Sequence, residues 1–169
     1  MIADASGQTP DSLRNRTDWQ RFQVELDRAA LVVLGRASHE RYLNPGRRRL
    51  VVTHRVAAVG PDPKDSRAAF WNPAGVSLEY VLRGLGIAQG TIAITGLFDL
   101  FLGNYTSFDL AEAGLLTLPE GKPCFASGHP RKVLSAIGLK PVTFEMLDEE
   151  SHVTLTRWER PAVTTPSEG

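Results

Sequence analysis

Leu31-Val32-Val33-Leu34-Gly35-Arg36-Ala37-Ser38 decides the fold. Its first four residues are apolar, the middle two β-branched, and the run stops at a glycine. An apolar run this short and continuous reads as a strand buried on both faces, the kind found in parallel sheets. Arg36 and Ser38 then stand just past the strand's carboxyl end, where such sheets bind ligands. Upstream, residues Thr17 to Arg28 read as a helix, with Thr17 or Asp18 accepting bonds from the orphan N–H groups of its first turn. Trp19, Phe22 and Leu26 fall on one face at helical spacing. Downstream, the turn Asn44-Pro45-Gly46 leads into a second buried run, Arg49-Leu50-Val51-Val52-Thr53.

The alternation continues. Residues Val59 to Lys64, with Gly60, Pro61 and Pro63, read as loop, and Ala68 to Trp71 as a short strand. Ser77 caps a helix through Leu85, closed by Gly84 or Gly86. Thr91-Ile92-Ala93-Ile94-Thr95 is a third buried strand, followed by Gly96 and a short helix from Leu97 to Leu102. Phe108 to Ala113 is a strand. Val142 to Leu147 and Val153 to Trp158 alternate apolar and polar residues around the acidic turn Asp148-Glu149-Glu150-Ser151, the pattern of an antiparallel hairpin. The expected architecture is α/β, with a mostly parallel central sheet and an antiparallel C-terminal hairpin. One domain over residues 1–160 is expected. Pro161 to Gly169 is too polar to offset its ordering entropy and reads as a disordered tail.

Composition narrows the function classes. The 169 residues carry 19 Lys+Arg and 19 Asp+Glu, so the formal net charge is +0. General nucleic-acid or anionic-membrane binding needs a positive excess that is missing here. No apolar run approaches the roughly 20 residues of a membrane-spanning helix, and the polar start lacks a signal sequence. The single cysteine, Cys124, is compatible with a reducing compartment, and a cytoplasmic location is expected. Cys124 has no local histidine partner and is not read as a nucleophile. His39, His129 and His152 stand isolated, so no metal site is expected. Glu145, Asp148, Glu149 and Glu150 read as a solvated hairpin end, and Arg48 and Arg49 as a solvated turn.

Three strand ends carry residues suited to a ligand. Gly35-Arg36-Ala37-Ser38 joins a small residue to a planar guanidinium. Thr53-His54-Arg55 offers a hydroxyl, an imidazole and a guanidinium in succession, suited to an adenosine 2'-phosphate. Thr95-Gly96 precedes a helix start, suited to a pyrophosphate. Each alone is also the composition of an ordinary turn.

In order and spacing, these segments resemble the dihydrofolate reductase superfamily, riboflavin-biosynthesis reductases included, from Ile2 to about Arg160. Asp18-Trp19-Gln20-Arg21-Phe22, the strand Leu31 to Leu34 and Gly35-Arg36-Ala37-Ser38 resemble its acid-bearing helix, strand and cofactor turn. Pro45-Gly46-Arg47 resembles its Pro-Gly-Arg. Leu97 to Leu102 resembles its helix after the glycine loop, and Val153 to Arg160 its final strand. The resemblance implies a three-layer dihydrofolate reductase-like fold and an NADPH-dependent reductase acting on a C=N bond of a dihydropterin-type substrate, such as dihydrofolate or a dihydromethanopterin. It implies Asp18 as the proton-donating acid, and Trp19 and Phe22 as a pocket wall beside Ala3. Arg47 matches the residue that holds a substrate carboxylate. Gly35, Arg36, Ala37, Ser38, Thr53, His54, Arg55, Thr95 and Gly96 match positions on the dinucleotide. The partners implied are small molecules, pterin or pyrimidine, with neither nucleic acid nor membrane; a homodimer is allowed.

The departures are informative. Where the family has Gly-Gly after the third strand, this chain has Gly96-Leu97. Only Met1-Ile2-Ala3 stand where a full first strand belongs, so a full strand needs residues upstream. The Pro-Trp of standard folate enzymes is missing before Asp18, and the region around Ala111-Glu112 lacks their hydroxylated residue. These differences point away from a standard dihydrofolate reductase. They favour a relative acting on another pterin or a pyrimidine, and beside the dihydropterin reading stand two alternatives: reduction of a ribosylamino-pyrimidine in riboflavin biosynthesis, or a relative that binds ligand without catalysis.

Overall fold

The computed structural model describes residues 9, 14–42, 46–114 and 121–162. Met1 to Ala3, Asn44 and Pro45, and residues 163–169 of the polar tail lie outside the described residues. The chain divides into two compact units, residues 21–97 and residues 1–20 with 98–169. No helix among the described residues is long and apolar enough to cross a membrane.

The unit of residues 21–97 is built on five strands: β1 (Leu31–Gly35), β2 (Arg49–Val52), β3 (Val59–Pro61), β4 (Ala68–Trp71) and β5 (Ile92–Ile94). Their order across the sheet is β3-β4-β2-β1-β5. All pairs are parallel except β3 with β4. Leu31 to Leu34, Leu50 and Val51 are buried, as their unbroken apolar runs require. Helix α1 (Arg16–Arg28) sets Leu26 against Val32, Leu34 and Val51, with Phe22, Ala29, Phe70 and Ala93 closing the cluster. The segment expected as loop after Val59 contains the short strand β3. It is an edge strand, where Pro61 is tolerated because a missing N–H leaves no ladder bond unmade on the outer side. β5 is only half-buried, at the other edge.

Helix α3 (Leu78–Gly84) begins as its sequence predicts, with Ser77 Oγ accepting the Tyr80 N–H. Gly86 closes it rather than Gly84. At φ +68° it takes the left-handed conformation, and the Gly86 and Ile87 N–H groups bond the Arg83 and Leu82 carbonyls.

The other unit carries an antiparallel sheet of β6 (Ser107–Ala113), β8 (Val153–Glu159) and β7 (Lys140–Asp148), in that order. The expected hairpin is therefore present, and it pairs with β6 in a sheet of its own. Phe98, Tyr105, Phe108 and Phe125 stack edge-on or tilted, with centroids 5.4 to 6.0 Å apart, and form its aromatic core. The helix expected over Leu97 to Leu102 is a single 3-10 turn, Phe98–Phe101; the Phe98 carbonyl accepts a bond from the Tyr105 hydroxyl. Helix α4 (Pro130–Ala136) starts on a proline and buries Val133 and Leu134.

The cap of α1 differs from the expectation. Asn15, not Thr17 or Asp18, is the cap: its Oδ1 accepts the Asp18 N–H at 3.0 Å and its carbonyl the Trp19 N–H. Its Nδ2 also donates to Asp148 at 2.9 Å. Asp148 in turn accepts the N–H groups of Glu150 and Ser151 and so organises the turn of the hairpin. The acidic turn is thus more than a solvated end. Replacing Asn15 by Ala is expected to destabilise the protein by about 1–2 kcal/mol, read from urea unfolding, because a cap and a bond across 133 residues are lost together.

Candidate functional site

Parallel pairing brings the three strand ends to one edge. Gly35 pairs with Val52, and Val33 with Ile94, so the chain leaves β1, β2 and β5 side by side at Arg36, Thr53 and Thr95. Thr53 is buried. Its N–H bonds the Trp71 carbonyl at 2.9 Å, and its Oγ1 accepts the Arg55 N–H at 3.2 Å. That short turn leaves His54 and Arg55 exposed beyond the strand end. Thr95 donates both its N–H (3.0 Å) and its hydroxyl (3.4 Å) to the Val33 carbonyl. Around Gly96, among the described residues and apart from its two chain neighbours, no atom lies within 4 Å of where a Cβ would stand, which leaves room for a ligand to approach the backbone.

Leu97, at the position of the missing second glycine, has φ 57°. Left-handed backbone is uncommon for a residue with a branched side chain. A glycine-like conformation therefore persists without the glycine. The Leu97 side chain lies 3.6 Å from where a Cβ on Gly35 would stand.

Gly35-Arg36-Ala37-Ser38 is not a free turn. Helix α2 (Arg36–Arg41) starts at once, with Gly35 as its cap residue at an ordinary φ of −76°. Arg36 pairs with Glu40 one turn on, at 2.6 Å. Ala37 is exposed and Ser38 half-buried. Of the nine residues matched to the dinucleotide, Gly35, Thr53, His54, Arg55, Thr95 and Gly96 lie at three adjacent strand ends, and Arg36, Ala37 and Ser38 form the first turn of α2.

On α1, Asp18 lies half-buried in the first turn. Trp19 is 57% exposed, while Phe22 packs against the core. Arg47 is engaged by α1: its guanidinium bonds Asp27 at 2.7 Å and Gln23 at 2.9 Å. Ala3 lies outside the described residues.

Two polar contacts were not legible in the sequence. His39, isolated along the chain, bonds Asp62 through Nε2 at 2.8 Å, with both side chains nearly enclosed. Arg49 is no solvated residue: it is 4% exposed and ion-paired with Asp65. Partners 23 and 16 residues apart carry no local pattern. The Lys64 N–H, and then the His39 ring, hold the Asp62 carboxyl below the usual aspartate range despite its burial. A depressed carboxyl contributes stability that is complete above the ordinary aspartate value, about 4, and is lost as pH falls through and below it. Urea midpoints measured from pH 7 downward should therefore fall less steeply in Asp62→Asn than in the wild type. Asp62→Ala should cost about 1–3 kcal/mol at neutral pH.

Cys124 is buried, and that burial pushes its thiol up to about 11, so it is protonated and unreactive at neutral pH.

No family model matches the chain, and no curated protein matches it. A solved structure from Thermotoga maritima, a diaminohydroxyphosphoribosylaminopyrimidine deaminase/5-amino-6-(5-phosphoribosylamino)uracil reductase, matches at 18% identity with a TM-score of 0.56. The match covers 95% of this chain and 53% of that one, so the chain spans about half the length of the structure it resembles. The likeness shows the fold: it is the dihydrofolate reductase-like one, with a mostly parallel sheet and an antiparallel C-terminal hairpin.

Proposed function

We propose that this protein is an NADPH-dependent reductase whose substrate is a ribosylamino-pyrimidine. The observation that carries the reading is the alignment of Arg36, Thr53-His54-Arg55 and Thr95-Gly96 on three adjacent parallel strand ends. Exposed His54 and Arg55 beside an open Gly96 backbone fit a phosphorylated dinucleotide, whose bound nicotinamide supplies the hydride. Arg55 and His54 hold the 2'-phosphate, and the Gly96 backbone admits the pyrophosphate. Asp18 supplies the proton that the substrate nitrogen takes as the neighbouring carbon takes hydride.

Two considerations favour the pyrimidine over a dihydropterin. The matching solved structure bears the name of a phosphoribosylaminouracil reductase. Arg47, which a folate-type reading needs for a substrate carboxylate, is already engaged by Asp27 and Gln23.

The test has two stages. Intrinsic fluorescence arises from Trp19, Trp71 and Trp158, and Trp71, whose carbonyl accepts the Thr53 N–H at the end of β4, places one reporter at the strand ends. NADPH should change that signal saturably and raise the thermal midpoint. NADPH oxidation should then be faster with 5-amino-6-(5-phosphoribosylamino)uracil than with dihydrofolate. Faster turnover of dihydrofolate would restore the pterin substrate. No response to NADPH or NADH would leave the non-catalytic, ligand-binding reading in its place.

A further inference from the structure

The loop that carries His54 and Arg55 joins β2 to β3. Both strands are fixed by their own ladders, β2 to β1 and β4, and β3 to β4. The loop is held by a further set of contacts, from the turn that follows β4. The Asn72 backbone N–H bonds the Ala58 carbonyl at 2.7 Å, and its Nδ2 donates to the Val56 carbonyl at 3.0 Å. Its Oδ1 accepts the Ala74 N–H at 3.1 Å and so folds the turn itself. Each amide atom has the partner its chemistry requires. Gly75, on the same turn, presses against the loop's backbone. A Cβ there would stand 2.1 Å from the Ala57 carbonyl oxygen and 2.8 Å from the Ala58 Cα, so no other residue fits unless the loop moves. The turn is rooted in the core, because buried Trp71 donates its Nε1–H to the Val76 carbonyl at 2.9 Å.

What this clamp holds out to solvent is an imidazole and a guanidinium. Other arginines of the same unit are engaged internally: Arg36 by Glu40, Arg47 by Asp27, Arg49 by Asp65 and Arg67 by the Gly46 carbonyl. Among the described residues, nothing bonds the His54 ring or the Arg55 guanidinium, and both residues are exposed. The ladders hold the sheet with or without the clamp, so the clamp acts on what the loop presents. Fixing a backbone before a ligand arrives lowers the ordering cost at binding.

We propose that Asn72, with Gly75 behind it, is the positioning residue of the 54–58 loop: it sets His54 and Arg55 to receive a phosphate monoester, and so sets the preference for a dinucleotide that carries a 2'-phosphate. The inference rests on the reading of the strand ends as a dinucleotide site. Asn72 acts through the Val56 and Ala58 carbonyls and not by touching the phosphate.

Two substitutions loosen or displace the loop without altering the side chains that meet the phosphate. Asn72→Ser keeps a hydroxyl to accept the Ala74 N–H but loses the amide that donates to Val56. Gly75→Ala pushes on Ala57 instead. In fluorescence titrations of the full chain, each should weaken NADPH about 3- to 10-fold and leave NADH within about twofold. A purely structural part for Asn72 would weaken both dinucleotides alike. Backbone amide relaxation should give N–H order parameters of about 0.85 over residues 54–57 in the wild type, falling toward about 0.6 in Asn72→Ser. An unchanged ratio of NADPH to NADH affinity in either variant, or order parameters unmoved by Asn72→Ser, would overturn the proposal. A wild type that binds neither dinucleotide removes the reductase reading, and adenosine 2'-monophosphate then decides for the loop. Amide shifts at His54 and Arg55 that need about 3- to 10-fold more of it in Asn72→Ser would sustain the proposal. No shifts in the wild type would overturn it.

Discussion

Asp18→Asn is expected to lower turnover at neutral pH by about 10²–10⁴-fold, the usual contribution of a positioned general acid. The substitution keeps the size of the side chain and removes only the transferable proton. It does not touch the helix cap, because Asn15 and not Asp18 holds the first-turn N–H groups of α1. The substitution also removes one negative charge from the first turn, worth about 0.3–1 kcal/mol against the helix dipole. The urea midpoint of the variant, measured beside its rate, separates lost catalysis from lost folding. A substrate nitrogen that takes its proton from solvent should recover part of the rate at low pH, so the variant's activity should climb as pH falls. Asp18→Ala should behave alike in both stability and rate. If Asn at position 18 leaves full activity across the pH range on a substrate the protein turns over, Asp18 is not the acid.

Arg55→Ala is expected to weaken NADPH about 10- to 100-fold and to leave NADH nearly unchanged. A charge-assisted contact to a phosphate contributes about 1.5–3 kcal/mol, which converts to that range in affinity. NADH has no 2'-phosphate and so loses nothing. The turn survives the substitution, because Thr53 Oγ1 bonds the backbone N–H of residue 55 and not its side chain. Arg36→Ala should have the smaller effect of the two, since Glu40 already engages that guanidinium. Fluorescence titration of both cofactors with both variants decides it. Equal losses for NADPH and NADH would remove Arg55 from the 2'-phosphate.

The elements legible in the sequence are those whose period is fixed by one buried face. The runs 31–34 and 50–52 read as interior strands from their length and β-branching, and the alternation over β8 matches its burial at Val153 and Leu155, whereas Thr156 and Trp158 are buried on the opposite face. Helix α2 was hidden because Arg36-Ala-Ser-His-Glu-Arg41 has no apolar periodicity; it is held by its place after β1 and by His39, which reaches Phe70 and Asp62. β3 was hidden by Gly60 and Pro61, which suit a loop and an edge strand equally. The cap of α1 was within reach, since Asn15-Arg16-Thr17-Asp18 places an Asn three residues before an acid, a recurrent helix-start pattern. In the candidate site, the strand-end residues could be listed from local motifs, but their neighbours could not. Glu40 beside Arg36 is one helical turn away and invisible until the helix is known, and Asp27 reaches Arg47 only through tertiary packing.

The division of the chain has a consequence for how it comes off the ribosome. Residues 21–97 are contiguous, so every strand of the five-stranded sheet has been synthesised before the second sheet begins at Ser107. The other unit needs both ends of the chain, and the bond from Asn15 to Asp148 waits for nearly all of it. Contacts so distant in sequence carry a large loop-closure cost and form slowly. The parallel sheet is therefore expected to assemble during synthesis, with the three-stranded sheet following once β8 is complete. Nascent chains arrested just after Gln89 would lack β5 and should leave β1 exposed to protease. Chains arrested past Leu97, with enough tether to clear the exit tunnel, should already protect it.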